Sequence, residues 1–307
     1  MASTTPNSGT GVVTPQKGPI LVIGSTGNQG GHVGRALLND GWAVHAFTRN
    51  AESPKAQVLK RQGAHLVTGD MADVPALTKA IKEVTAIFSM QNFWDLGLKE
   101  EIRLGSHVIQ AAIHAGNHPH IVYSSGLGAE KHQNVAAIDG KAILEKKLRN
   151  SGLPFTILRP GLFMDDFLGA SLPFARPIQK LLDAHRPLVG RLFLATLQAV
   201  MPKDSRIPLT TLRDVGRVAA WALGNPEESK GQVFEVIGSL ETGDALSELW
   251  TRTIKQSIPY VPLLAVGLRL AHRRMATLLE WLGQRQFTIS NAPVPLQTYE
   301  EWLSSFP

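Results

Sequence analysis

From Ile20 onward short apolar runs alternate with stretches whose apolar residues recur at helical spacing. The runs are ILVIG (20–24), AVHAFTR (43–49), AHLVTG (64–69), TAIFSM (85–90), HIVYSS (120–125) and FTILRP (155–160). Each has strand length and is nearly unbroken, the pattern of a strand buried on both faces. Between them lie helical stretches, among them Gln29 to Leu38 and Leu98 to Gly116. The alternation predicts an α/β fold of the Rossmann type, a doubly wound parallel sheet covered by helices on both faces. In such sheets ligands sit at the carboxyl ends of the strands, so the residues that close each run carry the interest.

After Arg159-Pro160-Gly161 the rhythm stops. Residues 162–204 read as helix and loop with several prolines, TLRDVGRVAAWALG (211–224) as an amphipathic helix, and VFEVIG (233–238) as a last strand. The remainder reads as mostly helical, with helices over Gly243 to Gln256, Leu263 to Leu282 and Tyr299 to Ser304. The division that follows is a disordered tail over 1–18, a nucleotide-binding body over 19–161 and 205–238, and a smaller, mainly helical cap over 162–204 and 239–307. No internal repeat is visible.

Composition narrows this picture. Of 307 residues 43% are apolar, enough for a substantial core. The 31 Lys and Arg against 25 Asp and Glu favour anionic ligands, but no basic cluster marks a nucleic-acid reader. With no cysteine, thiolate chemistry and disulfides are excluded. The apolar stretches Leu192 to Met201 and Val261 to Leu270 fall short of the roughly 20 residues that span a bilayer, so no membrane is expected and a cytoplasmic location is.

Gly24, Gly27 and Gly30 form G-x-x-G-x-x-G directly after the first strand and at the head of a helix. In that context one glycine lets the chain turn, one lets backbone amides approach a pyrophosphate, and one lets helix and strand pack closely. The helix N-terminus adds oriented N–H groups and partial positive charge. Proteins that bind NAD place an acidic residue about 20 residues further on, against the ribose hydroxyls. Here Arg49 closes the second strand. A guanidinium pairs bidentately with a 2'-phosphate, which predicts NADP(H) as the cofactor.

With these residues in hand the chain resembles the NmrA-like family of atypical short-chain dehydrogenases/reductases, from about Ile20 to Pro307. GSTGNQGG is similar to the family's first turn and TRN to its NADP-selecting strand end. Gly69-Asp70-Met71 resembles its adenine-side turn, Gln91-Asn92-Phe93-Trp94 the segment beside the cofactor, and Asp139-Gly140-Lys141 with Glu145 its lysine helix. GLFMDDF (161–167) resembles the passage by the nicotinamide. The resemblance implies cofactor contacts from Gly24, Ser25, Thr26, Gly27, Asn28, Gln29, Gly30, Arg49, Asp70, Met71, Gln91, Asn92, Phe93, Lys141, Gly161, Phe163 and Met164.

Lys141, Ser124 and Ser125 are the candidates for chemistry. In ordinary short-chain reductases a Ser, a Tyr and a Lys cooperate, the tyrosine passing a proton as hydride arrives. The tyrosine stands four residues before the lysine, where this chain has Ala137. Lys141 is then left either to move a proton itself, as a lysine does in isoflavone reductase-like enzymes, or to hold ribose hydroxyls. Ser124 and Ser125 either bond a substrate oxygen or close the strand. Asp165 or Asp166 either acts as an acid or caps a following helix. Trp94 is a lid or core aromatic, or faces the ligand. His114, His118 and His120 read as a surface connection rather than a metal site.

Two functions fit. One is an NADP(H)-dependent oxidoreductase that transfers hydride to the C=O, C=N or C=C bond of a fairly apolar small molecule, with Leu181, Leu182, Leu188, Leu192, Phe193 and Leu194 of the cap enclosing it. The other, favoured by the missing tyrosine, is a non-catalytic NADP(H)-binding redox sensor that acts through a protein partner.

Overall fold

The computed structural model describes residues 17–168, 186–290 and 292–305 of the chain. The chain runs β1 (Lys17–Ile23), α1 (Asn28–Asn39), β2 (Trp42–Thr48), α2 (Pro54–Arg61), β3 (His65–Thr68), α3 (Val74–Lys82), β4 (Ala86–Ser89), α4 (Phe93–Ala115), β5 (His120–Ser124), α5 (Ala136–Arg149), β6 (Phe155–Pro160) and β7 (Leu162–Phe163). After a 3-10 turn at Met164–Leu168 the next described elements are α6 (Arg186–Val200), β8 (Arg206–Thr210), α7 (Leu212–Gly224), α8 (Pro226–Ser229), β9 (Val233–Val236) and β10 (Ser239–Thr242). Four helices close the chain: α9 (Gly243–Ile254), α10 (Leu263–Ala271), α11 (Arg273–Gly283) and α12 (Tyr299–Ser304).

All six apolar runs and the VFEVIG segment are strands of one parallel sheet in the order β3-β2-β1-β4-β5-β6-β9. The order reverses between β1 and β4, the place where a crevice opens above the carboxyl edge. Successive side chains of β1 point to opposite faces. Ile20 and Val22 join Leu37 of α1 and Val215, Val218 and Ala219 of α7. Leu21 and Ile23 join Ile81 of α3, Val108 of α4 and Leu144 of α5. Two apolar layers thus hold the sheet.

A second, three-stranded sheet, β10-β8-β7, was not anticipated. β8 runs antiparallel to β10 and parallel to β7. Its sequence, RIPLT, carries Pro208 in the middle strand, a residue that argues against such an assignment because it cannot donate to the ladder. The same sheet departs from the helix-and-loop reading of 162–204 and the mostly helical reading beyond 239. β8, grouped with the body on sequence grounds, pairs only with strands grouped with the cap.

A third apolar cluster joins Leu194 and Leu197 of α6, Trp250 of α9, Leu279 of α11 and Trp302 of α12 to Leu127 and Ile138 near the head of α5. Its contact with the body is close: at Gly128, where φ is +82°, a Cβ would lie 2.2 Å from the Trp281 ring. Two helix boundaries carry more detail than the periodicity. α4 begins at Phe93, but Gly97 breaks it (φ +73°, ψ 170°), so the regular helix starts at Leu98 and ends at the left-handed Gly116. The span Leu263 to Leu282, read as one helix, is two, because His272 adopts φ −147°, ψ 64°. The break lets α11 fold over the start of α4, where His272 meets Trp94 with ring centroids 5.8 Å apart and the Arg274 guanidinium lies 5.6 Å from the Phe93 ring centre. The tail reading falls on residues 1–16, outside the described ones, and on Lys17 and Gly18, which open β1.

His120 corrects the reading of its segment as surface: His114 and His118 are exposed, but His120 is buried at the start of β5. Thr156 Oγ1 donates to the Ser229 carbonyl at 2.6 Å, so it accepts from His120 Nε2 at 2.9 Å. The neutral ring therefore carries its proton on Nε2, and Nδ1 has no partner among the described residues. Burial, helped by Lys230, lowers the His120 pKa from 6.5 to about 4. In the unfolded chain the ring gains its proton near pH 6.5; in the fold it does not until about pH 4. Stability is thus lost as pH falls through this window, by on the order of 3 kcal/mol at its lower end. Denaturant titrations at pH 7, 5.5 and 4 are expected to show a steeper acid loss for the wild type than for His120→Gln; parallel losses would exclude this origin.

Candidate functional site

The site is built where β1 passes into α1. Gly24 takes φ +73°, open to glycine at little cost, and Gly27 N–H donates to the Gly24 carbonyl at 2.9 Å. α1 then passes so close that a Cβ on Gly30 would lie 2.2 Å from that same oxygen. Ser53, Asp73 and Asn92 cap α2, α3 and α4 with their side chains, but α1 has Gly27 at its N-cap and no acidic residue in its first turn. The first-turn amides of Asn28, Gln29 and Gly30 therefore present partial positive charge that no carboxylate of the turn neutralises, a surface that fits a phosphate. Ser25 contributes backbone rather than hydroxyl, since its Oγ donates to the Phe47 carbonyl at 3.1 Å and ties the turn to β2. Thr26 is half-buried on the same turn.

The ends of β2 and β3 lie side by side, where the sequence reading puts the adenine half of the cofactor. Arg49 is exposed immediately beyond β2, and no carboxylate pairs with it among the described residues. Gly69 follows β3 with a Cβ position only 2.6 Å from the Phe47 ring, so a side chain there would strike the core. Asp70 is exposed and its Oδ1 accepts from Ala72 N–H at 2.8 Å. The Met71 carbonyl accepts from His107 Nδ1 at 3.0 Å.

On the opposite side of the crevice Lys141 reaches over from α5. Its Nζ lies 2.8 Å from the Gln91 carbonyl and 2.8 Å from Glu101 Oε1. The lysine side chain is 12% exposed and that of Glu101 0%. Gly140 makes the approach possible, because a Cβ there would stand 2.4 Å from Glu101 Oε2. Sequence reasoning found Lys141 and missed Glu101. A signal existed: Glu101 shares the buried stripe of α4 with Leu104, Gly105, Val108 and Ala112, a position where an unpaired carboxylate is costly.

Gln91 is buried and its Nε2 donates to Ser89 Oγ at 3.1 Å. Asn92 uses its side chain to cap α4, accepting from Trp94 N–H at 3.1 Å. Phe93 is buried, and Trp94 packs edge-on to it with centroids 5.2 Å apart. Trp94 thus sits between the body and the α10–α11 junction.

The two serines part ways. Ser124 Oγ donates to Gln29 Oε1 at 2.7 Å, linking β5 to the first turn of α1. Ser125 Oγ donates to Glu145 Oε1 at 2.6 Å, inside a buried group where Arg159 donates to both Glu145 oxygens at 3.0 and 2.7 Å. Its hydroxyl proton is thus donated within that ion pair rather than toward the crevice. Ala137, where a proton-donating tyrosine would stand, leads the first turn of α5 only as a methyl group. Tyr123 lies 3% exposed beneath the site, its ring centre 5.7 Å from Lys141 Nζ. Burial, with Glu101 and Glu145 nearby, raises its pKa well above 10.

Beyond β6, Met164 is fully buried in the cap core, and a Cβ on Gly161 would lie 2.6 Å from the Pro208 carbonyl. Phe163 is half-buried against the α1 and α7 layer. Asp165 acts as a cap, though for a helix far along the chain: its Oδ2 accepts from Leu212 N–H at 2.9 Å at the head of α7. Burial raises its pKa. Of the leucines expected to enclose a substrate, Leu181 and Leu182 lie outside the described residues, Leu188 and Leu192 are exposed, and Phe193 and Leu194 belong to the cap core. No three His, Asp or Glu among the described residues are grouped to hold a metal, and no described helix is long and apolar enough to cross a membrane.

Known proteins are similar to this chain. The NmrA-like family domain-containing oxidoreductase himF of Aspergillus japonicus is 39% identical over 159 residues, 48% of this chain and 48% of that protein. The oxidoreductase of the same description notA, from Aspergillus sp. (strain MF297-2), is 35% identical over 264 residues, 78% of this chain and 75% of that protein. For notA' of Aspergillus versicolor the figures are 32% over 243 residues, 73% and 65%. The matched region thus spans about half of himF and just under two thirds of notA'. Among solved structures, an NADPH-dependent quinone oxidoreductase from Escherichia coli, complexed with NADPH, shares the fold with a TM-score of 0.68 at 23% identity over 93% of this chain and 98% of that one. The model of the NmrA-like family matches residues 16–275, and the chain belongs to that family.

Proposed function

We propose that this protein is an NADP(H)-dependent oxidoreductase acting on a fairly apolar small molecule with a polarised C=O, C=N or C=C bond. The observation that carries the reading is the β1–α1 turn: a left-handed Gly24, a Gly30 with no room for a Cβ and an α1 without a side-chain cap, set beside the point where the strand order reverses. The relatives' description as oxidoreductases supports it. When bound, the dinucleotide supplies or accepts hydride. The chain's own part is to hold the pyrophosphate on the amides of residues 28–30, to pair Arg49 with the 2'-phosphate, and to present Lys141 toward the nicotinamide end.

Lys141 donates to the Gln91 carbonyl at 2.8 Å and is ion-paired, without a hydrogen bond, to Glu101 Oε1 at 2.8 Å, which holds the ammonium in place. Its remaining N–H groups are left to a ribose hydroxyl or to the substrate oxygen on which negative charge develops. Trp94, packed between Phe93 and His272, lies at the head of α4 close by. The second reading, a sensor that binds NADP(H) and reports to a protein partner, rests on Ala137 and on the burial of Tyr123, which leave no tyrosine at the expected proton-donating position.

A titration with NADPH and NADH, followed by absorbance at the nicotinamide band with a panel of enones, imines and quinones, separates the two. Turnover supports the enzyme; silence across the panel, with partner binding that differs between NADP and NADPH, supports the sensor. Arg49→Asp is expected to weaken NADPH binding far more than NADH binding, and equal losses would refute the assignment of Arg49. Lys141→Met alone strands a buried carboxylate and should lower stability by about 3–5 kcal/mol. Combined with Glu101→Gln, thermal unfolding should recover most of that loss while turnover stays absent. Recovery of turnover along with stability would show that Lys141 only packs.

A further inference from the structure

Gly31 follows the three spaced glycines and has no part in their pattern, yet it too faces a crowded position. A Cβ at residue 31 would lie 3.3 Å from the Ser25 carbonyl and 3.4 Å from Nη1 of Arg35. Arg35 stands one turn further along α1, and helical side chains lean toward the helix N-terminus, so its guanidinium is drawn back to the level of the first turn. It is in van der Waals contact with residue 31, beside the Ser25 carbonyl.

The side of α1 concerned is defined by its neighbours. A Cβ on Gly34 would meet Leu59 of α2 at 3.7 Å, and Leu38 lies 3.9 Å from the corresponding position on Gly63. Residues 31, 34, 35 and 38 are three and four apart and share one edge of the helix, the edge toward α2 and the end of β2. Ser25 ties the glycine turn to Phe47, and the register pairs Ile23 with Phe47, so Arg49 lies just beyond on the neighbouring strand. Two arginines therefore flank the crevice between the first turn of α1 and the end of β2.

Arg35 is also half-buried. Burial lowers its guanidinium pKa, with no carboxylate contributing an opposing effect, and no acidic side chain pairs with it among the described residues. A partly desolvated cation without a counter-charge is unfavourable unless an anion arrives. A freely solvated surface arginine would not show this burial.

We propose that Arg35 is a second specificity-determining residue of the dinucleotide subsite, closing on the 2'-phosphate from the α1 side while Arg49 closes from β2. The assignment rests on the reading that this chain binds NADP(H), and it adds a residue that the strand-end rule does not reach. One arginine at a strand end can tolerate NADH. Two on opposite walls place a dianionic phosphate between them, each able to donate two N–H bonds.

The test is binding by calorimetry of adenosine 2',5'-bisphosphate and adenosine 5'-monophosphate, alongside NADPH and NADH, to the full chain and to Arg35→Gln, Arg35→Lys and Arg49→Gln. Arg35→Gln is expected to weaken both 2'-phosphorylated ligands about tenfold and to leave the other two within about twofold. Arg35→Lys, which keeps the charge and loses the fork, should fall between. The salt dependence of NADPH binding should become shallower in Arg35→Gln. Equal losses for all four ligands, or no loss, overturn the proposal; if Arg49→Gln is then selective, the NADP(H) reading stands without Arg35. Should the wild type itself bind the phosphorylated and unphosphorylated ligands alike, the reading fails and the Arg35 proposal with it.

Discussion

The structure depends on a close approach between helix and turn at Gly30, where a side-chain carbon would stand 2.2 Å from the carbonyl of Gly24. Because nothing projects there, α1 lies directly on the sheet, and the next helix layer follows from it. α7 packs on α1 through Gly216, whose own Cβ would be 2.8 Å from the His32 carbonyl. α7 is in turn the anchor for distant segments. Asp165 accepts from its first N–H, and Asp214 accepts from Arg217 at 3.2 Å and from Gln297 N–H at 2.8 Å. A constraint of one missing carbon thus sets the position of the turn, the helix layer beside it and the strap that leads to α12.

Two buried ion pairs flank the crevice, and they differ in what remains available. Arg159 gives two N–H bonds to Glu145, a third to Glu130 at 3.1 Å, and Glu145 also accepts from Ser125. Such a group is satisfied within the fold and joins α5 to β6, and it offers little to a ligand. Lys141 and Glu101 form the second pair, deeper on the carboxylate side and partly open on the ammonium side. The two groups are on neighbouring elements of the same body, so the difference is one of donor use: a guanidinium with its fork filled is structural, and an ammonium that donates only to the Gln91 carbonyl keeps N–H groups for a ligand.

Much of this was legible in the chain. The strands are continuous apolar runs whose identity does not depend on their partners, and Leu98 and Gly116 mark where α4 becomes regular and where it ends. Arg49 is readable because a strand end in this topology has only one place to point. What was not legible depends on contacts far apart in sequence. β7 is two residues long and β8 contains Pro208; neither is a strand except against the other and β10. The break at His272 comes from packing on Trp94 and Phe93, about 180 residues upstream by sequence, and carries no Gly or Pro. Met164 precedes an exposed-looking DDF segment and yet turns into the cap core, and Asp165 caps α7 instead of its own turn. The acidic member of the lysine pair was hidden for a related reason, since a glutamate within an apolar stripe declares itself only when its cation is located.

The absence of a tyrosine before Lys141 changes the electrostatic problem rather than simply deleting a donor. With a phenol in place, the positive charge of the lysine serves to ease proton loss from it. Here the nearest phenol, Tyr123, keeps its proton because it is buried, with Glu101 and Glu145 adding to the effect, and the lysine faces a carboxylate of its own. The positive charge of Lys141 is therefore already balanced, whereas the bare first turn of α1 and Arg49 are not. In the proposed binding mode an anionic dinucleotide would be held from its phosphate side, and its nicotinamide side would meet a locally neutral pair with N–H groups to give. In the proposed reaction that arrangement suits a substrate whose developing charge needs a hydrogen bond more than a proton, such as an extended enone or quinone able to spread it. Simple carbonyls, which concentrate charge on one oxygen, would be the poorer substrates on this ground.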